Sequence, residues 1–385
     1  MQKLGIYIHI PFCLRKCPYC DFYSTASHDK ETRERFLSAL CKEISFYGGR
    51  YGKDRGVDTV FFGGGTPSIL EADEVCRIMS ELRRNFHIAE DAEISMECNP
   101  ATASYEKLEA YRTAGVNRLS IGAQSFDDDV LKTLGRLHDV KATRETVAAA
   151  RRAGFENISL DLMFGIPGQS HETWQETVKQ AMTLEPQHIS LYSLEFMEGT
   201  SFWKMRESGS MAETEAEEDR RMYEEALAIM AGAGYHQYEI SNVAQPGREC
   251  RHNLKYWNLD DYLGFGPSAH SFIENIRRSN TDKLEVYCDA METDDFSGAV
   301  DFSTENTFMD NVSEYMFTGL RKNEGIDLEA FRKKFGRSLW EIYGPECRAE
   351  FEEYVKGGFA EETESRVRLT LEGMNISNRI MAIFV

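Results

Sequence analysis

The sequence predicts an α/β protein: a partial (β/α)6 barrel of parallel strands followed by a smaller, winged-helix-like α+β domain. Three observations predict this architecture. Six short apolar runs each precede a turn and an amphipathic stretch, polar residues follow all six runs, and the alternation stops near residue 240. Because six βα units are fewer than the eight of a closed barrel, we expect the barrel to be open.

Strands and helices are predicted to alternate regularly through the first 240 residues. The strands are assigned to residues 4–10, 58–62, 93–98, 117–122, 157–163 and 188–194. The helices are assigned to residues 31–47, 71–86, 104–114, 141–153, 171–184 and 217–233. Ser170 stands where its hydroxyl can cap a helix, and Gly115 stands where a helix ends. Ser170 and Gly115 therefore support the assigned helix boundaries.

The rest of the chain is predicted to form two further segments. Residues 1–240 are the barrel, residues 241–305 a loop-rich segment and connector, and residues 306–385 a helical, winged-helix-like domain. In the last segment Val312, Met316 and Leu320 share one helical face, and residues 366–371 alternate like a strand. A winged helix would suit DNA binding, but the acidic composition favours a structural lid.

Composition excludes several functional classes. The chain has 385 residues, 42% of them hydrophobic, and a formal net charge of −20, so we expect no nucleic-acid binding, which needs a cationic surface. No apolar run approaches the roughly 20 residues that span a bilayer. The predicted first strand begins within four residues of the N-terminus, leaving no room for a signal peptide. Nine cysteines, odd in number and unevenly spread, fit a reducing cytoplasm.

Three cysteines stand in a C-x3-C-x2-C spacing directly after the first predicted strand: Cys13, Cys17 and Cys20. Structural zinc sites are normally closed by four ligands, and no second Cys or His pair lies close by in the sequence. A four-iron cluster held by three thiolates keeps one iron open for another ligand. The alternative, three buried core thiols, fits poorly with the neighbouring Arg15 and Lys16. We therefore predict an iron–sulfur loop.

Polar or glycine-rich segments follow the other five strands. In chain order they are Gly63-Gly64-Gly65-Thr66-Pro67, then Glu97 and Asn99, Gln124 and Ser125, Asp161 with Gly165-Ile166-Pro167-Gly168-Gln169, and Tyr192 with Glu195. Each signal alone is weak, because a glycine-rich turn after a strand is usually only a turn. Together they predict a ligand site at the carboxyl ends of the strands.

The cysteine loop, with Tyr19 preceding the third cysteine, resembles the signature of the radical S-adenosylmethionine superfamily. The segments 63–67, 122–126 and 161–165 resemble the oxygen-independent coproporphyrinogen III oxidase group, over nearly the whole chain. The resemblance implies a [4Fe-4S] cluster whose open iron is chelated by S-adenosylmethionine. Reduction of the sulfonium then yields methionine and a 5′-deoxyadenosyl radical.

The same resemblance implies the residues of the site. Cys13, Cys17 and Cys20 would hold the cluster. The S-adenosylmethionine site would comprise Tyr7, Tyr19, Gly64, Gly65, Thr66, Glu97, Gln124, Arg136 and Asp161. Glu195 and His270 fall at two later positions of the family pattern, where residue identity varies. Outside the motif, Arg136 would be interpreted as a surface charge and Asp161 as a strand-end cap.

Two branches of this group differ in function. The oxidases have a further cysteine two residues after the third, where this chain has Phe22, and a longer N-terminal segment. The HemW-type heme chaperones carry an H-N-x-x-Y-W motif, present here as His252-Asn253-Leu254-Lys255-Tyr256-Trp257. Imidazole is a common heme ligand, so His252 is the candidate heme ligand. The alternative for His252 is a hydrogen-bonded loop histidine.

The branch resemblance implies a cytoplasmic heme chaperone that delivers heme to haem-accepting respiratory proteins. It implies three cofactors: the [4Fe-4S] cluster, S-adenosylmethionine and heme. It allows a homodimer and assigns no catalytic residue, so coproporphyrinogen dehydrogenase activity is not expected. The rival reading is an oxygen-independent coproporphyrinogen III oxidase, which decarboxylates propionates to give protoporphyrinogen IX. A nucleic-acid-binding protein using the C-terminal domain is a third, weaker reading.

Overall fold

The computed structural model describes residues 2–27 and 29–385. The strands are β1 Gln2–Ile10, β2 Arg55–Gly64, β3 His87–Cys98, β4 Arg118–Gln124, β5 Asn157–Phe164, β6 His188–Ser193, β7 His236–Glu239, β8 Asn242–Ala244, β9 Tyr262–Phe265, β10 His270–Ile273, β11 Ile276–Asn280, β12 Val300–Glu305, β13 Ile326–Asp327, β14 Ala360–Glu362 and β15 Arg366–Leu369. The helices are α1 Lys30–Tyr51, α2 Ala72–Asn85, α3 Tyr105–Ala114, α4 Asp128–Thr133, α5 Val140–Arg152, α6 His171–Met182, α7 Ser201–Glu207, α8 Ala216–Gly232, α9 Arg251–Trp257, α10 Leu284–Glu292, α11 Phe308–Gly319, α12 Leu328–Phe335, α13 Leu339–Lys356, α14 Leu371–Met374 and α15 Ser377–Met381.

Six parallel strands, β1 to β6, lie side by side in chain order and form the centre of a 12-stranded sheet. The sheet does not close, because its order runs from β12 at one edge to β7 at the other. The fold class predicted from the sequence, an open α/β barrel, is therefore confirmed. All carboxyl ends of the six parallel strands meet on one side, which is where such folds bind ligands.

The helices cover this sheet through their apolar faces. In α1 the residues Phe36, Leu40 and Ile44 are fully buried, and they recur at helical spacing. The predicted caps form: the Ser170 hydroxyl accepts a hydrogen bond from the Thr173 amide, and Gly115 ends α3 at a φ of 111°. A positive φ of this size favours glycine, which has no Cβ to clash. Local sequence signals thus agree with the packing.

Residues 241–305 differ from the loop-rich segment and connector that the sequence predicts. They form strands β8 to β12 and helices α9 and α10, and β9 pairs in parallel with β1, Gly5 opposite Tyr262. Tyr287, Cys288 and Met291 of α10 are buried in the main core. The structure corrects the prediction: β9 to β12 extend the sheet beyond β1, β8 extends it beyond β6, and the segment is not a linker.

A buried carboxyl group fastens this extension to α1. Glu43 accepts hydrogen bonds from the Gly266 amide at 2.8 Å, the Asn280 amide group at 2.7 Å and the Tyr287 hydroxyl at 2.7 Å. Burial raises the pKa of Glu43, and these three donors oppose the rise. The Glu43 side chain of α1 is therefore hydrogen-bonded to three residues that lie more than 200 positions later in the sequence.

The C-terminal unit has its own hydrophobic core. Val312, Met316, Phe331 and Phe351 belong to a buried cluster separate from the main one, which ends at Ala299. A three-stranded antiparallel sheet, β13-β15-β14, packs beside α11 to α15. We propose a boundary near residue 306 between the two units. None of the helices in the described part of the chain has the length and apolar character of a membrane span.

Candidate functional site

A cavity of about 990 Å³ opens at the carboxyl ends of the central strands and extends to the C-terminal unit. Most residues that the sequence places in the site line this cavity: Cys13, Cys17, Cys20, Tyr19, Gly64, Gly65, Thr66, Glu97, Gln124, Arg136, Asp161 and Glu195. They come from six different βα units that are distant in sequence. The structure therefore brings together what the strand-end pattern predicts, and Tyr7, His252 and His270 do not line this cavity.

The cysteine loop follows β1 and forms one wall of the cavity. Cys13 is buried, whereas Cys17 and Cys20 are partly exposed to the cavity. The Cys20 amide donates a hydrogen bond to the Cys17 carbonyl at 3.2 Å, which turns the loop so that both thiols face the same space. Burial, with the neighbouring Cys17 and Cys13 adding to it, raises the pKa of Cys20 to about 11.

The three thiols fit a cluster better than a single ion. Among the described residues, no group of three or more His, Cys, Asp or Glu side chains is arranged to hold one metal ion. A four-iron cluster is larger and takes each thiolate on a different iron, so the sulfurs need not converge on a point. The loop supplies three thiols and no fourth protein ligand. A four-iron cluster held here would therefore keep one iron open for a small molecule.

The glycine-rich loop after β2 packs directly against the cysteine loop. The Gly65 and Thr66 amides donate to the carbonyls of Ile10 and Phe12, each at 2.8 Å. A Cβ on Gly65 would lie 2.7 Å from the Phe12 oxygen and 3.1 Å from the Cys13 sulfur. Only glycine allows this approach. Because these two amides are already bonded, the loop offers carbonyl oxygens and the Thr66 hydroxyl to a ligand, which suit an amine donor.

Arg136 links the cysteine loop to the end of β4. Its guanidinium lies 3.7 Å from the Cys17 sulfur and 3.5 Å from the Tyr19 hydroxyl, and it donates to the Gly122 carbonyl at 3.0 Å. Gln124, at the same strand end, has a φ of 62°, which is uncommon for a residue with a Cβ. Arg136 is thus a partly buried cation at the site and not the surface charge that its bare sequence position allows.

Two carboxyl groups lie in the cavity floor, Glu97 from β3 and Asp161 from β5. Burial, with the charge of Asp161 adding to it, raises the pKa of Glu97 to about 8, although the Gly64 amide donates a hydrogen bond that opposes the rise. Burial also raises the pKa of Asp161, although the Ser120 hydroxyl donates to it at 2.9 Å. The floor therefore favours a carboxyl group that keeps its proton and can donate a hydrogen bond.

Tyr7 and His9 lie on β1 behind the glycine-rich loop. The Tyr7 hydroxyl is hydrogen-bonded to the His9 Nδ1 atom at 3.1 Å, and the His9 Nε2 atom is bonded to the Tyr23 carbonyl at 3.0 Å. A Cβ on Gly64 would lie 2.6 Å from the His9 ring. These residues thus support the loop from behind, and the predicted contact of Tyr7 with S-adenosylmethionine stays a prediction.

His252 occupies a different place from the one expected of a heme ligand. Its side chain is 1% exposed, and its two ring nitrogens are hydrogen-bonded to the Thr59 hydroxyl at 2.9 Å and to the Tyr256 hydroxyl at 2.8 Å. The ring stacks on Phe61 with 5.3 Å between centroids. Burial lowers the pKa of His252 to about 3. In this conformation neither nitrogen is open to iron, so heme ligation by His252 stays a prediction that requires α9 to rearrange.

The whole H-N-x-x-Y-W segment forms helix α9, which closes the barrel at the amino end of the strands. The Glu93 carboxylate of β3 accepts hydrogen bonds from the Arg251 and His252 amides, at 3.1 and 3.2 Å. The Lys255 ammonium is buried and lies 2.7 Å from Asp58. These partners on β2 and β3 hold α9 in place. Moving the helix would leave the buried Lys255 charge unpaired, which is costly.

Sequence reasoning missed part of the cavity wall. Asp219, in the first turn of α8, accepts a hydrogen bond from the Ser193 hydroxyl at 2.6 Å and faces the cavity. Burial raises the pKa of Asp219. Ser120 could have been predicted from the sequence. Ser120, Gly122 and Gln124 are spaced two residues apart, so they lie on the same face of β4. Asp219 had no such signal, since only the packing of α8 brings it there.

Known proteins resemble the chain along its whole length. The Radical SAM superfamily profile matches residues 7–181, and the HemN C-terminal domain profile matches residues 309–376. The heme chaperone HemW of Bacillus subtilis is 37% identical over 380 residues, covering 98% of each chain. The chain belongs to the HemW family. The Escherichia coli HemW is 39% identical over 70% of each chain, and a mitochondrial radical S-adenosyl methionine domain-containing protein 1 of Danio rerio is 31% identical over 98% of this chain and 86% of its own.

The fold of this HemW family member is shared with a solved enzyme. The structure of coproporphyrinogen III oxidase (HemN) from Escherichia coli, a radical SAM enzyme, superposes with a TM-score of 0.87 at 25% identity. The match covers all of this chain and 90% of that one. The family resemblance seen in the sequence motifs is thereby confirmed, including the relation to the HemN group.

Proposed function

We propose that this protein is a heme chaperone: it binds heme and passes it to haem-requiring respiratory proteins. The observation that carries the proposal is the 37% identity to a heme chaperone over 98% of both chains. The intact His252–Trp257 motif and the large cavity between the barrel and the C-terminal unit support it. Its acidic composition and cysteine use fit the cytoplasm.

The proposal includes a [4Fe-4S] cluster on Cys13, Cys17 and Cys20, with S-adenosylmethionine beside it. The carbonyls of the 64–66 loop and the Thr66 hydroxyl would accept from the cosubstrate's amine, and Arg136 would pair with anionic groups near the cluster. Glu97 and Asp161 would meet its hydroxyl groups. When bound, these two cofactors supply one-electron chemistry. The protein's own part is to bind, orient and shield them.

One observation favours a second candidate, an oxygen-independent coproporphyrinogen III oxidase: the TM-score of 0.87 to that enzyme. Fold likeness does not fix function, because sites vary on a common scaffold. Phe22 stands where the resemblance places the oxidases' further cysteine, and its side chain is 64% exposed at the cavity rim. A phenylalanine has no thiol and cannot take the place of that cysteine, which favours the chaperone.

The decisive experiment measures heme retention and coproporphyrinogen turnover on the same sample. The full chain is reconstituted anaerobically with iron and sulfide, then given either heme or coproporphyrinogen III with S-adenosylmethionine and a reductant. We expect heme to remain bound through gel filtration, with a Soret band, and no protoporphyrinogen IX to form. A coproporphyrinogen oxidase assayed in parallel is the positive control for turnover.

Two outcomes would contradict the proposal. Formation of protoporphyrinogen IX with consumption of S-adenosylmethionine would establish the oxidase instead. Loss of all heme during gel filtration, by a sample that carries its full iron–sulfur absorbance, would remove the basis for a chaperone. Transfer to an acceptor is then tested by mixing the heme-loaded protein with an apo-haemoprotein and following the acceptor's spectrum.

A further inference from the structure

Arg321, just after α11, is a cation that forms no close ion pair with a residue in the described part of the chain, although the charge of Glu239 acts on it. Its guanidinium lines the cavity, and its Nε atom is buried with no hydrogen-bond partner in the described part of the chain. Its backbone carbonyl accepts from the Ile240 amide at 3.1 Å, which ties the C-terminal unit to β7. In a chain with 64 acidic and 44 basic residues, a cation left unpaired in a cavity is unexpected.

Its neighbours hold Arg321 in place, and no described carboxylate lies within ion-pair distance of its guanidinium. The guanidinium lies over the Trp257 ring, 4.6 Å from the centroid, an attractive cation–π contact. Trp257 is the last residue of the H-N-x-x-Y-W motif. The nearby Glu239 carboxylate attracts Arg321 electrostatically, but its hydrogen bonds come from the Asn242 side chain and from the Ser241 amide at 3.2 Å, both to Oε1. The N–H donors of the Arg321 guanidinium therefore stay available to a ligand.

The apolar side chains near Arg321 suit a ligand that joins an apolar body to a carboxylate. Tyr223, Ile240 and Met374 line the same part of the cavity, and the Tyr223 hydroxyl is already used by the Ile240 carbonyl at 2.6 Å. An arginine fork matches a carboxylate with two parallel hydrogen bonds. A cation in such a setting thus recruits an acidic group attached to an apolar body.

We infer that Arg321, positioned by Trp257, binds a propionate of heme in the cavity between the barrel and the C-terminal unit. The inference rests on the proposed function, because heme is the ligand. It gives the H-N-x-x-Y-W motif a role in heme binding through its tryptophan, while His252 and Lys255 fasten α9 to the barrel. S-adenosylmethionine also carries a carboxylate, so the test must separate the two sources.

The test is a heme titration of the reconstituted full chain, followed by Soret absorbance, with Arg321→Gln, Arg321→Lys and the matched control Arg248→Gln. Arg248 is exposed on a turn and lies outside the cavity. Loss of a charge-assisted hydrogen bond should raise the Kd for heme about tenfold in Arg321→Gln, and less in Arg321→Lys. Arg248→Gln should equal the wild type. With heme dimethyl ester, which lacks carboxylates, wild type and Arg321→Gln should bind equally.

Several results would overturn the inference. Unchanged heme affinity in Arg321→Gln would do so, as would an equal loss with the dimethyl ester, which would make the effect structural. A loss of S-adenosylmethionine affinity with heme affinity intact would assign the carboxylate to the cosubstrate. If the wild type retains no heme, the proposed function and this inference both fail. If the wild type and Arg321→Gln retain heme equally, only the inference fails.

Discussion

At the residue scale, the part of the cavity around the cysteine loop combines three sulfurs with the Arg136 cation and the Glu97 and Asp161 carboxyl groups. Arg136 lies against the Cys17 sulfur and would offset the negative charge that three thiolates bring to the loop. Thr66 lies 3.3 Å from the Cys13 sulfur and can donate its hydroxyl proton to a thiolate. The protein therefore supplies the electrostatic support that a thiolate-bound cluster needs.

Replacement of Cys17 by Ser should abolish the cluster. A serine hydroxyl is a poor iron ligand compared with a thiolate, and two cysteines do not hold a four-iron cluster. Anaerobic reconstitution should give no broad absorbance near 400 nm and a much lower iron content than the wild type. Cys76→Ser is the matched control, because Cys76 is exposed on α2 and outside the cavity. A wild-type spectrum from Cys17→Ser would contradict the cysteine assignment.

Glu97 should make the stability of the cofactor-free protein depend on pH. Its pKa is raised from about 4.5 to about 8, so between these values the folded chain holds a proton that the unfolded chain releases. Stability should therefore fall as pH rises from 5 to 8, by at most about 1.4 kcal/mol per pH unit from this group. Glu97→Gln should remove that part of the slope.

Urea unfolding of wild type and Glu97→Gln at pH 5, 6, 7 and 8 measures this difference. Glu90→Gln is the matched control, because Glu90 is exposed on the same strand, β3. Parallel pH profiles for wild type and Glu97→Gln would show that Glu97 ionises normally.

Most of the site could be predicted at this scale because its signals are local in sequence. The C-x3-C-x2-C spacing, the glycine run and the strand-end carboxyls are each short patterns, and the structure places them in one cavity. Arg321 and Asp219 could not be predicted. Each reaches the cavity only because a helix from another part of the chain packs there, and no short pattern records that contact.

At the element scale, α9 is a short polar helix that closes the barrel at the end opposite the cavity. Seven residues provide too few backbone hydrogen bonds for a stable isolated helix, so α9 depends on its tertiary contacts. Those contacts come mainly from Asp58 and Thr59 of β2 and Glu93 of β3. The position of Trp257, and through it Arg321, therefore follows from how α9 is fastened.

His252→Ala should destabilise the protein and loosen α9. The substitution leaves the buried Thr59 and Tyr256 hydroxyls without partners and opens a cavity beside Phe61, at a cost of about 2–4 kcal/mol. Urea unfolding and hydrogen exchange of residues 251–257 measure the effect. His236→Ala, which removes a half-exposed histidine paired with Glu249, should cost no more than about 1 kcal/mol.

The two roles of His252 can be separated in the same variant. If His252→Ala is destabilised but binds heme as tightly as the wild type, the residue fastens α9 and does not ligate iron. If it keeps full stability and loses heme, the interpretation of His252 as a structural residue is contradicted.

The elements beyond residue 240 were less predictable than those before it. The first six βα units carry clear periodicity, and each predicted strand overlaps an observed one. Strands β9 to β12 are short, and β9 finds its partner, β1, about 250 residues away in the sequence. Pairing at that distance leaves no local pattern, so the segment resembles a connector until the sheet is known.

At the scale of the whole molecule, two hydrophobic cores meet across the cavity, and polar contacts join them. The Asn375 side chain donates to Glu224 of α8 at 2.9 Å, and the buried Lys322 ammonium bonds to Asn258 at 2.6 Å. Further hydrogen bonds cross between the units, among them the Asn323 amide to the Tyr238 carbonyl at 3.0 Å and Arg277 to Glu314 at 2.8 Å. The C-terminal unit is therefore held beside the cavity by several polar contacts.

Asn375→Asp should weaken this closure. It replaces a donor to Glu224 by a second carboxylate, which repels it, at a cost of about 1–2 kcal/mol in local opening. Hydrogen exchange of residues 377–384 should become about five- to thirtyfold faster. Asn378→Asp adds the same charge at an exposed position without that hydrogen bond and should leave exchange near the wild-type rate. Equal exchange in the two variants would contradict this role of Asn375.

The parallel pairing of β9 with β1 has a consequence for synthesis of the chain. When the first 240 residues have left the ribosome, the six-stranded sheet can assemble, but the β1 edge still lacks its neighbour. An uncovered edge strand offers unpaired backbone groups to other chains. We therefore expect the nascent protein to pass through an aggregation-prone intermediate, which persists until residues 262–265 pair with β1. Folding assistance should matter most during that interval, and a chain truncated before residue 262 should aggregate.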